Sequence, residues 1–573
     1  MAADSTAEAE RSLRLQQMES SKHESDETPA IEGDDRGTTA TKPLAFYLGF
    51  LGLNINALVF SLDATSLVVA VPVSFYLAMI SLCMLIQSQS ITEQLNGTAL
   101  ESFWANISYM LCVVITQPLY TTISDTFGRK PPLYFAFLLF AVGSLAFALA
   151  QNMTTIIAGR VLQGLGGGGL DLLGEIIVAD ITTLQERSLY LGLMALPIAL
   201  GTILGPTMGA LFSSFVSWRW IGWINLPLLG VAFPLVLFFL RTRPIDTPFI
   251  ASMKRLDWGG IFLSLAGITV FVVPLSWAGA LYPWGSWQTI VPLVIGIALL
   301  VVLGFYSAKP EAPVIPRRLF HSHTAKWALL GNFMHGAMLF TVLQYLPVFF
   351  QAVELETVIG SAVSLLPTSI VSVIAAVGGV IVVGVVGKGY VWTIRLFWVE
   401  LTLGTGLLVL LDPDSSRSMR LGLPTIWSAG IGALMRLLHL PMQASVPSVD
   451  DTGLAIGLLL TFRLLGGLVG LAVGSTLFNN VFTSAIADIR DLPGSLAILR
   501  DGSEAIAFIP HLRTLDVARE ILNPVLNAYL TAMRAIFYAM TGFGVVGLLS
   551  SVFIGEHTLQ KTDLGRQRFE DSE

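Results

Sequence analysis

Gly201-Thr202-Ile203-Leu204-Gly205-Pro206-Thr207-Met208-Gly209-Ala210 lies inside a long apolar run with no charged residue. Glycine recurs every fourth position, so Gly201, Gly205 and Gly209 line one side of a helix and make a smooth strip for a neighbouring helix. Pro206 removes one backbone hydrogen bond and kinks such a helix. A strip of this kind in apolar surroundings predicts a packed membrane helix. Ordinary small-residue packing produces the same strip, but the full ten-residue pattern is far more specific than a lone Gly-x-x-x-Gly.

The surrounding sequence repeats the signal. Of 573 residues, 54% are hydrophobic and 12% charged, and the mean hydropathy is +0.72. A soluble domain of this length needs more charge to cover its surface. Long apolar stretches follow one another from residue 44 to residue 556, many of them exceeding the ~20 residues that cross ~30 Å of hydrocarbon. They divide into fourteen predicted spans: 44–73, 103–123, 132–151, 153–179, 188–213, 219–240, 258–278, 289–307, 326–350, 360–386, 390–411, 423–443, 452–478 and 532–555. The first 42 residues are polar and acidic and read as a disordered tail, with no cleaved signal peptide. A second tail covers 557–573. The connection 479–531 is the longest, and its apolar patch around Ala505–Ile509 suits a short interfacial helix.

An even number of spans leaves both tails on one side. Short loops after even-numbered spans carry about 12 Lys and Arg, those after odd-numbered spans about three, so both tails are expected in the cytosol. The triplet Asn96-Gly97-Thr98 then faces outward, as a glycosylation site must; such triplets also arise by chance. Cys83 and Cys112 both fall in apolar segments, and the seven histidines form no ligand-spaced cluster. Neither a disulfide framework nor a metal site is expected. No basic tract suggests nucleic acid, no Walker-type loop supports ATP-driven pumping, and no nucleophile–base pair suggests an enzyme.

Charged residues inside the spans are the functional candidates, because an intramembrane charge is costly unless paired or hydrated. Asp63 stands in the outer half of span 1, and Arg160 in span 4 is predicted at similar depth. A carboxylate there can change protonation as its hydration changes, which proton coupling requires. A fixed ion pair between the two is the structural alternative. Arg160, Gln163, Gly164, Gly167, Asp171 and Glu175 follow helical spacing along one face. Asp171 and Glu175 fall nearer the cytosolic end and suit either a cavity or a hydrated vestibule edge. Between spans 2 and 3, Ser124-Asp125-Thr126-Phe127-Gly128-Arg129-Lys130-Pro131 combines an acid, a turn glycine and two bases. It suits tight cytosolic packing or a simple headgroup anchor.

Together these residues resemble the major facilitator superfamily, most closely its fourteen-span drug:proton antiporter branch found in fungi. Asp125, Gly128, Arg129 and Lys130 match the superfamily's cytosolic loop motif. Arg160-x-x-Gln163-Gly164 is similar to the motif associated there with proton transfer, and Gly201, Gly205, Pro206 and Gly209 resemble the antiporter motif of exporters. The likeness extends through Leu62-Asp63-Ala64-Thr65 to Pro72, Trp218-Arg219-Trp220, Ile224-Asn225-Leu226-Pro227, Asp257-Trp258-Gly259-Gly260, Tyr345-Leu346-Pro347 and Arg463-x-x-Gly466-Gly467. It covers about residues 44–480.

The resemblance implies an all-α fold: two six-helix bundles at 43–240 and 326–556, joined by spans 7 and 8 within 241–325. It also implies alternating access, with proton entry through Asp63 and Arg160 driving export of small amphipathic compounds, drugs or a fungal metabolite. Gln163, Asp171, Glu175, Glu400 and Arg463 become cavity candidates. No cofactor is implied beyond the proton gradient; the partners are substrate, protons and lipid, and the chain is expected to act as a monomer in the plasma membrane. A vacuolar carrier of basic amino acids or iron chelates is the alternative on the same fold, and a non-transporting sensor is disfavoured by the intact motifs.

Four features depart from the family pattern. Thr121 stands where the loop motif begins with glycine, and Thr126 where a base is common. Glu400 sits near mid-membrane in span 11, with Arg463, Arg395 or substrate as its candidate partner. Finally, Ser74–Ser90 separates the Pro72 motif from Ile91-Thr92-Glu93-Gln94-Leu95 and makes span 1 too long. It reads as a translated intron, since Val73-Ser74 can be encoded by a splice-donor sequence, or as a real outward segment. The intron reading expects transcripts lacking codons 74–90; transcripts that are continuous through them refute it.

Overall fold

The computed structural model describes residues 42–559 and 567–569, apart from 71–90, 96, 98, 246–247, 280–281, 311, 387–388, 490–491, 514 and 516. The segment Ser74–Ser90 and the sequon residue Asn96 therefore lie outside the described residues.

Among the described residues, fourteen long helices follow in order. Spans 1 to 6 are Leu44–Ala70, Ala99–Phe127, Lys130–Ala148, Met153–Ile181, Leu184–Leu211 and Asn225–Phe239. Spans 7 and 8 are Trp258–Trp277 and Trp287–Tyr306. Spans 9 to 14 are His323–Ala352, Leu366–Val386, Tyr390–Leu407, Arg417–Leu437 continued by His439–Ala444, Thr452–Ala487 and Arg519–Val552. Among the described residues, 13 helices are long and apolar enough to cross a membrane. Span 5 completes the set: its apolar stretch is shorter, Leu189–Thr202, within a 28-residue helix. Helices are what lipid requires, since they pair every backbone polar group internally.

Side-chain caps start several spans. Asn152, Thr183, Asp257, Ser322 and Ser416 each accept a backbone N–H from the first turn of the helix they precede. The Asp257 motif thus has a plain structural use, with its Oδ1 2.8 Å from Gly260 N.

The helices pack as two bundles with matching patterns. In the first, span 1 packs on spans 5 and 6, and span 4 on spans 2 and 3. In the second, span 9 packs on spans 13 and 14, and span 12 on spans 10 and 11. Each bundle has its own apolar core. Spans 7 and 8 pack on each other, and span 7 also touches spans 2 and 13. The bundles meet through span 5 against span 10 and span 2 against span 13.

The glycine strip does what its spacing predicts. Gly201 abuts Leu62 and Ser61, Gly205 abuts Thr65 and the Leu62 carbonyl, and Gly209 abuts the Ser66 backbone. Span 5 therefore lies flush on span 1, and Thr65 Oγ1 donates across it to the Gly201 carbonyl at 3.3 Å. The Pro206 side chain lies outside the described set. In span 4, Gly164 and Gly168 meet span 2 while Gly166 meets span 3. Four consecutive glycines let one helix wedge between two others.

Phe569 packs edge-on to Phe46 at the start of span 1. Gln567 Oε1 accepts a 2.8 Å hydrogen bond from Arg129 N in the loop after span 2. Both ends of the described chain thus lie at the end of the molecule that carries the basic loop. The 479–531 connection is more ordered than its composition suggests. Span 13 runs on to Ala487, span 14 begins at Arg519, and the expected short helix forms at Ala505–Leu512. It packs on the second bundle through Phe508, Ile509 and Leu512.

Gly205→Val forces a branched side chain into Thr65 and the span 1 backbone, whereas the Cβ of Gly230 would meet nothing within 4 Å. Overpacking of this kind costs about 1–3 kcal/mol. The thermal midpoint of the detergent-solubilised protein should fall for Gly205→Val and hold for Gly230→Val.

Candidate functional site

Two polar sites emerge, and they are separate. The first is closed inside the first bundle. Arg160 Nη1 donates to Asp63 Oδ2 at 2.6 Å and to Gln163 Oε1 at 3.0 Å. Gln163 Nε2 donates to Asp63 Oδ1 at 3.2 Å and to Ser144 Oγ at 3.0 Å. Asn225 Nδ2 donates to Asp63 Oδ1 at 2.7 Å, and Tyr109 presents its ring face to the guanidinium at 4.3 Å. Spans 1, 2, 3, 4 and 6 all contribute. Asp63 and Arg160 are each 1% exposed, so the charges neutralise each other out of contact with water. Arg160 Nε makes no hydrogen bond.

Gln163, expected at the cavity, turns into this cluster instead. It stands one turn after Arg160 on span 4, and its amide donates to Ser144 Oγ on span 3. Ser144 and Tyr109 carry no local sequence signal that marks them as polar partners, whereas Asn225, within Ile224-Asn225-Leu226-Pro227, carries one: an asparagine in an apolar helix.

The second site is a cavity between the bundles, with about 1280 Å³ of space including its open mouth. Phe60, Met110, Phe340, Leu343, Trp427 and Ile431 give it mostly apolar walls. Serines and threonines of spans 1, 5 and 10 interrupt them, and Asp171, Glu175 and Arg463 supply its charges. Gln117 Nε2 donates to Asp171 Oδ2 at 3.2 Å. Glu175 Oε1 accepts from Arg436 Nη1 at 2.7 Å across the bundle interface. Arg463 is held within the second bundle by Asn332 Oδ1, the Met435 carbonyl and His439 Nε2.

Glu400 reaches neither proposed partner and does not line the cavity. Span 11 lies against spans 12 and 14, and Glu400 rests beside Gly430 with Oε2 buried and without a hydrogen bond. Arg463 is engaged as above, and Arg395 donates to the carbonyls of Ser551 and Val552.

The loop motif closes on itself. Arg129 Nε pairs with Asp180 at 2.8 Å, Nη1 donates to Ser124 Oγ at 2.9 Å, and Nη2 lies 3.5 Å from Asp125. Burial disfavours the Arg129 charge, but Asp180 and Asp125 more than offset this and raise its pKa above the usual arginine value. Gly128 adopts φ +92°, a turn that favours glycine. Lys130 starts span 3. Thr121, which replaces the usual glycine, packs on Gly457 of span 13. Gly457 has no side chain to oppose Thr121, so the two helices still approach closely there. Thr126 turns its hydroxyl back to the Thr122 carbonyl at 2.9 Å.

Comparisons with known proteins agree on one family. Residues 68–471 match the pattern of the Major Facilitator Superfamily. The MFS-type transporter sphD of Aspergillus fumigatus is 55% identical over 94% of this chain and 90% of its own length. Efflux pump FUS6 of Gibberella fujikuroi is 30% identical over 93% of both chains. The solved structure of the proton:xylose symporter XylE is similar in fold, with a TM-score of 0.52 and 13% identity over 90% of this chain and 97% of that one.

Removing one member of a buried pair strands the other at a cost of about 3–5 kcal/mol. Asp63→Leu and Arg160→Met should each lower the thermal midpoint sharply. The double variant should lose clearly less than the sum, as a double-mutant cycle would measure.

Proposed function

Because the chain belongs to the major facilitator superfamily, we propose that it is a proton-coupled exporter of small amphipathic organic compounds, a fungal metabolite or drugs among them. The observation that carries this reading is the cavity built by both bundles, with apolar walls and charges confined to one region. Such a pocket discriminates weakly among hydrophobes and takes an amphipath with its polar part toward the charges. Export is supported by the span 5 motif and by the efflux pump among the relatives.

Coupling is assigned to Asp63 and Arg160. In the closed cluster the two charges are paired within the first bundle. A proton arriving on Asp63 would leave Arg160 buried and uncompensated, so it must be accompanied by a rearrangement of spans 1 and 4. Span 1 also carries Ser61, Ala64 and Thr65 into the cavity wall, so the same helix joins the proton site to the substrate path. Alternating exposure of the cavity then links proton entry to substrate exit. The chain acts as a monomer in the plasma membrane, with both tails in the cytosol.

In inside-out vesicles matched for the amount of monodisperse protein, Asp63→Asn and Arg160→Ala should abolish pH-gradient-driven accumulation of a lipophilic fluorescent dye. Dye binding without a gradient should stay within a few-fold of the parent. Full gradient-driven transport by both variants refutes the coupling assignment.

A further inference from the structure

The start of span 3 is completed by a residue 438 positions later in the chain. Arg129 stands in the capping position before Lys130, and the helix has no side-chain cap of its own. In many helices a glutamate or glutamine at the third helical position reaches back to the N–H of the capping residue. Here that position is Pro132, which has no such side chain. Gln567 takes its place. Its Oε1 accepts the Arg129 N–H at 2.8 Å, and the residue is buried. The turn at Gly128, φ +92°, lies against it: a Cβ there would stand 3.4 Å from Gln567 Oε1.

The next two residues dock as well. Arg243 N donates to the Arg568 carbonyl at 3.1 Å, and Phe569 pairs with Thr242 in an antiparallel bridge. The Phe569 ring stands edge-on to Phe46, 5.6 Å away. Three consecutive residues thus engage three parts of the first bundle: the loop after span 2, the segment after span 6 and the start of span 1.

The root of the same tail is fixed to the second bundle. Gly555 N donates to Thr324 Oγ1 of span 9 at 3.1 Å, and His557 N donates to the Tyr390 hydroxyl of span 11 at 2.8 Å. The chain from His557 to Gln567 can reach at most ~36 Å. Any movement that carries spans 9 and 11 away from the loop after span 2 lengthens the path this chain must bridge. Docking and closure of the bundles on this face therefore favour each other.

Docking acts through Arg129. Its guanidinium is held by Asp180 and Ser124 in the first bundle. Its Nη2 also reaches the start of span 13 in the second, where a Cβ on Gly453 would come within 2.6 Å.

We infer that Gln567, Arg568 and Phe569 form a strap that holds the cavity closed to the tail-bearing face, with Gln567 as the positioning residue that sets Arg129 against span 13. The inference rests on the cavity being a passage. It does not depend on which compound moves or on proton coupling.

Ser369→Cys, at a half-buried position in the cavity wall, reports access in a Cys83→Ser, Cys112→Ser background. Vesicles of each orientation are treated with a membrane-impermeant methanethiosulfonate, without substrate or gradient. A chain ending at residue 566 should label from the tail-bearing face about tenfold faster than the parent, the shift produced by ~1.4 kcal/mol. Gln567→Leu and Phe569→Ala should each give a smaller rise. Gln567→Glu, which keeps the acceptor, should stay closer to the parent than Gln567→Leu. A chain ending at residue 570 keeps the docked residues and should label at the parent rate, and labelling from the opposite face should not rise in any variant. Parent-rate labelling of the chain ending at residue 566 overturns the strap. So does equal acceleration from both faces, which would mean general loosening, or equal acceleration in the chain ending at residue 570. A Gln567→Glu rate equal to that of Gln567→Leu overturns the positioning role. Unchanged labelling with dye efflux intact refutes the strap alone; loss of efflux in the parent with the labelling result intact refutes the transport reading alone.

Discussion

Arg160 is a full guanidinium, 1% exposed, in the middle of a helix bundle that spans a membrane. An isolated charge there would be worth several kcal/mol of instability. The protein surrounds it with Asp63, Gln163 and the face of Tyr109, and steadies Asp63 in turn with Asn225. Five of the six spans of the first bundle meet at this point. The orientation of each is tied to the need to satisfy one buried ion pair, and the small residues around it allow the approach.

Close approach is the second requirement. Span 1 can place Asp63 against span 4 because Gly201, Gly205 and Gly209 let span 5 lie on its other side without intervening side chains. The second bundle repeats the device: Gly336 abuts the Arg463 backbone, and Gly466 abuts the Phe333 backbone. Both charged centres are thus framed by glycine contacts between the same pair of helices in each half, span 1 with span 5 and span 9 with span 13. Such contacts allow two rigid bundles, with movement concentrated at the seam between them.

The seam itself is polar in a directional way. Acids of span 4 face bases of spans 12 and 13, while the cavity walls above them are mostly apolar. The cavity thus has apolar walls and a charged floor in one chamber. The Asp63–Arg160 pair stays inside one bundle, and span 1 carries both Asp63 and the cavity-lining Ser61, Ala64 and Thr65.

Sequence alone determined the membrane class, the fourteen spans and the two-bundle family, and it offered the Asp63–Arg160 pair as one of two readings of those charges. These follow from local rules: hydropathy over twenty residues, glycine at every fourth position, and the cost of a lone charge in lipid. The short helix in the 479–531 connection was legible for the same reason, as a local apolar patch. Tertiary structure decided the rest. Gln163 looked like a cavity residue because it shares a helical face with Asp171, but Ser144 from span 3 claims its amide. Glu400 looked like a partner for Arg463, yet span 11 packs behind span 12 and Arg463 turns to Asn332. Arg436 gave no sign of importance as one arginine near a helix end. Its place opposite Glu175, 261 positions earlier in the chain, depends on how the two bundles dock, and no local pattern in the sequence encodes that geometry.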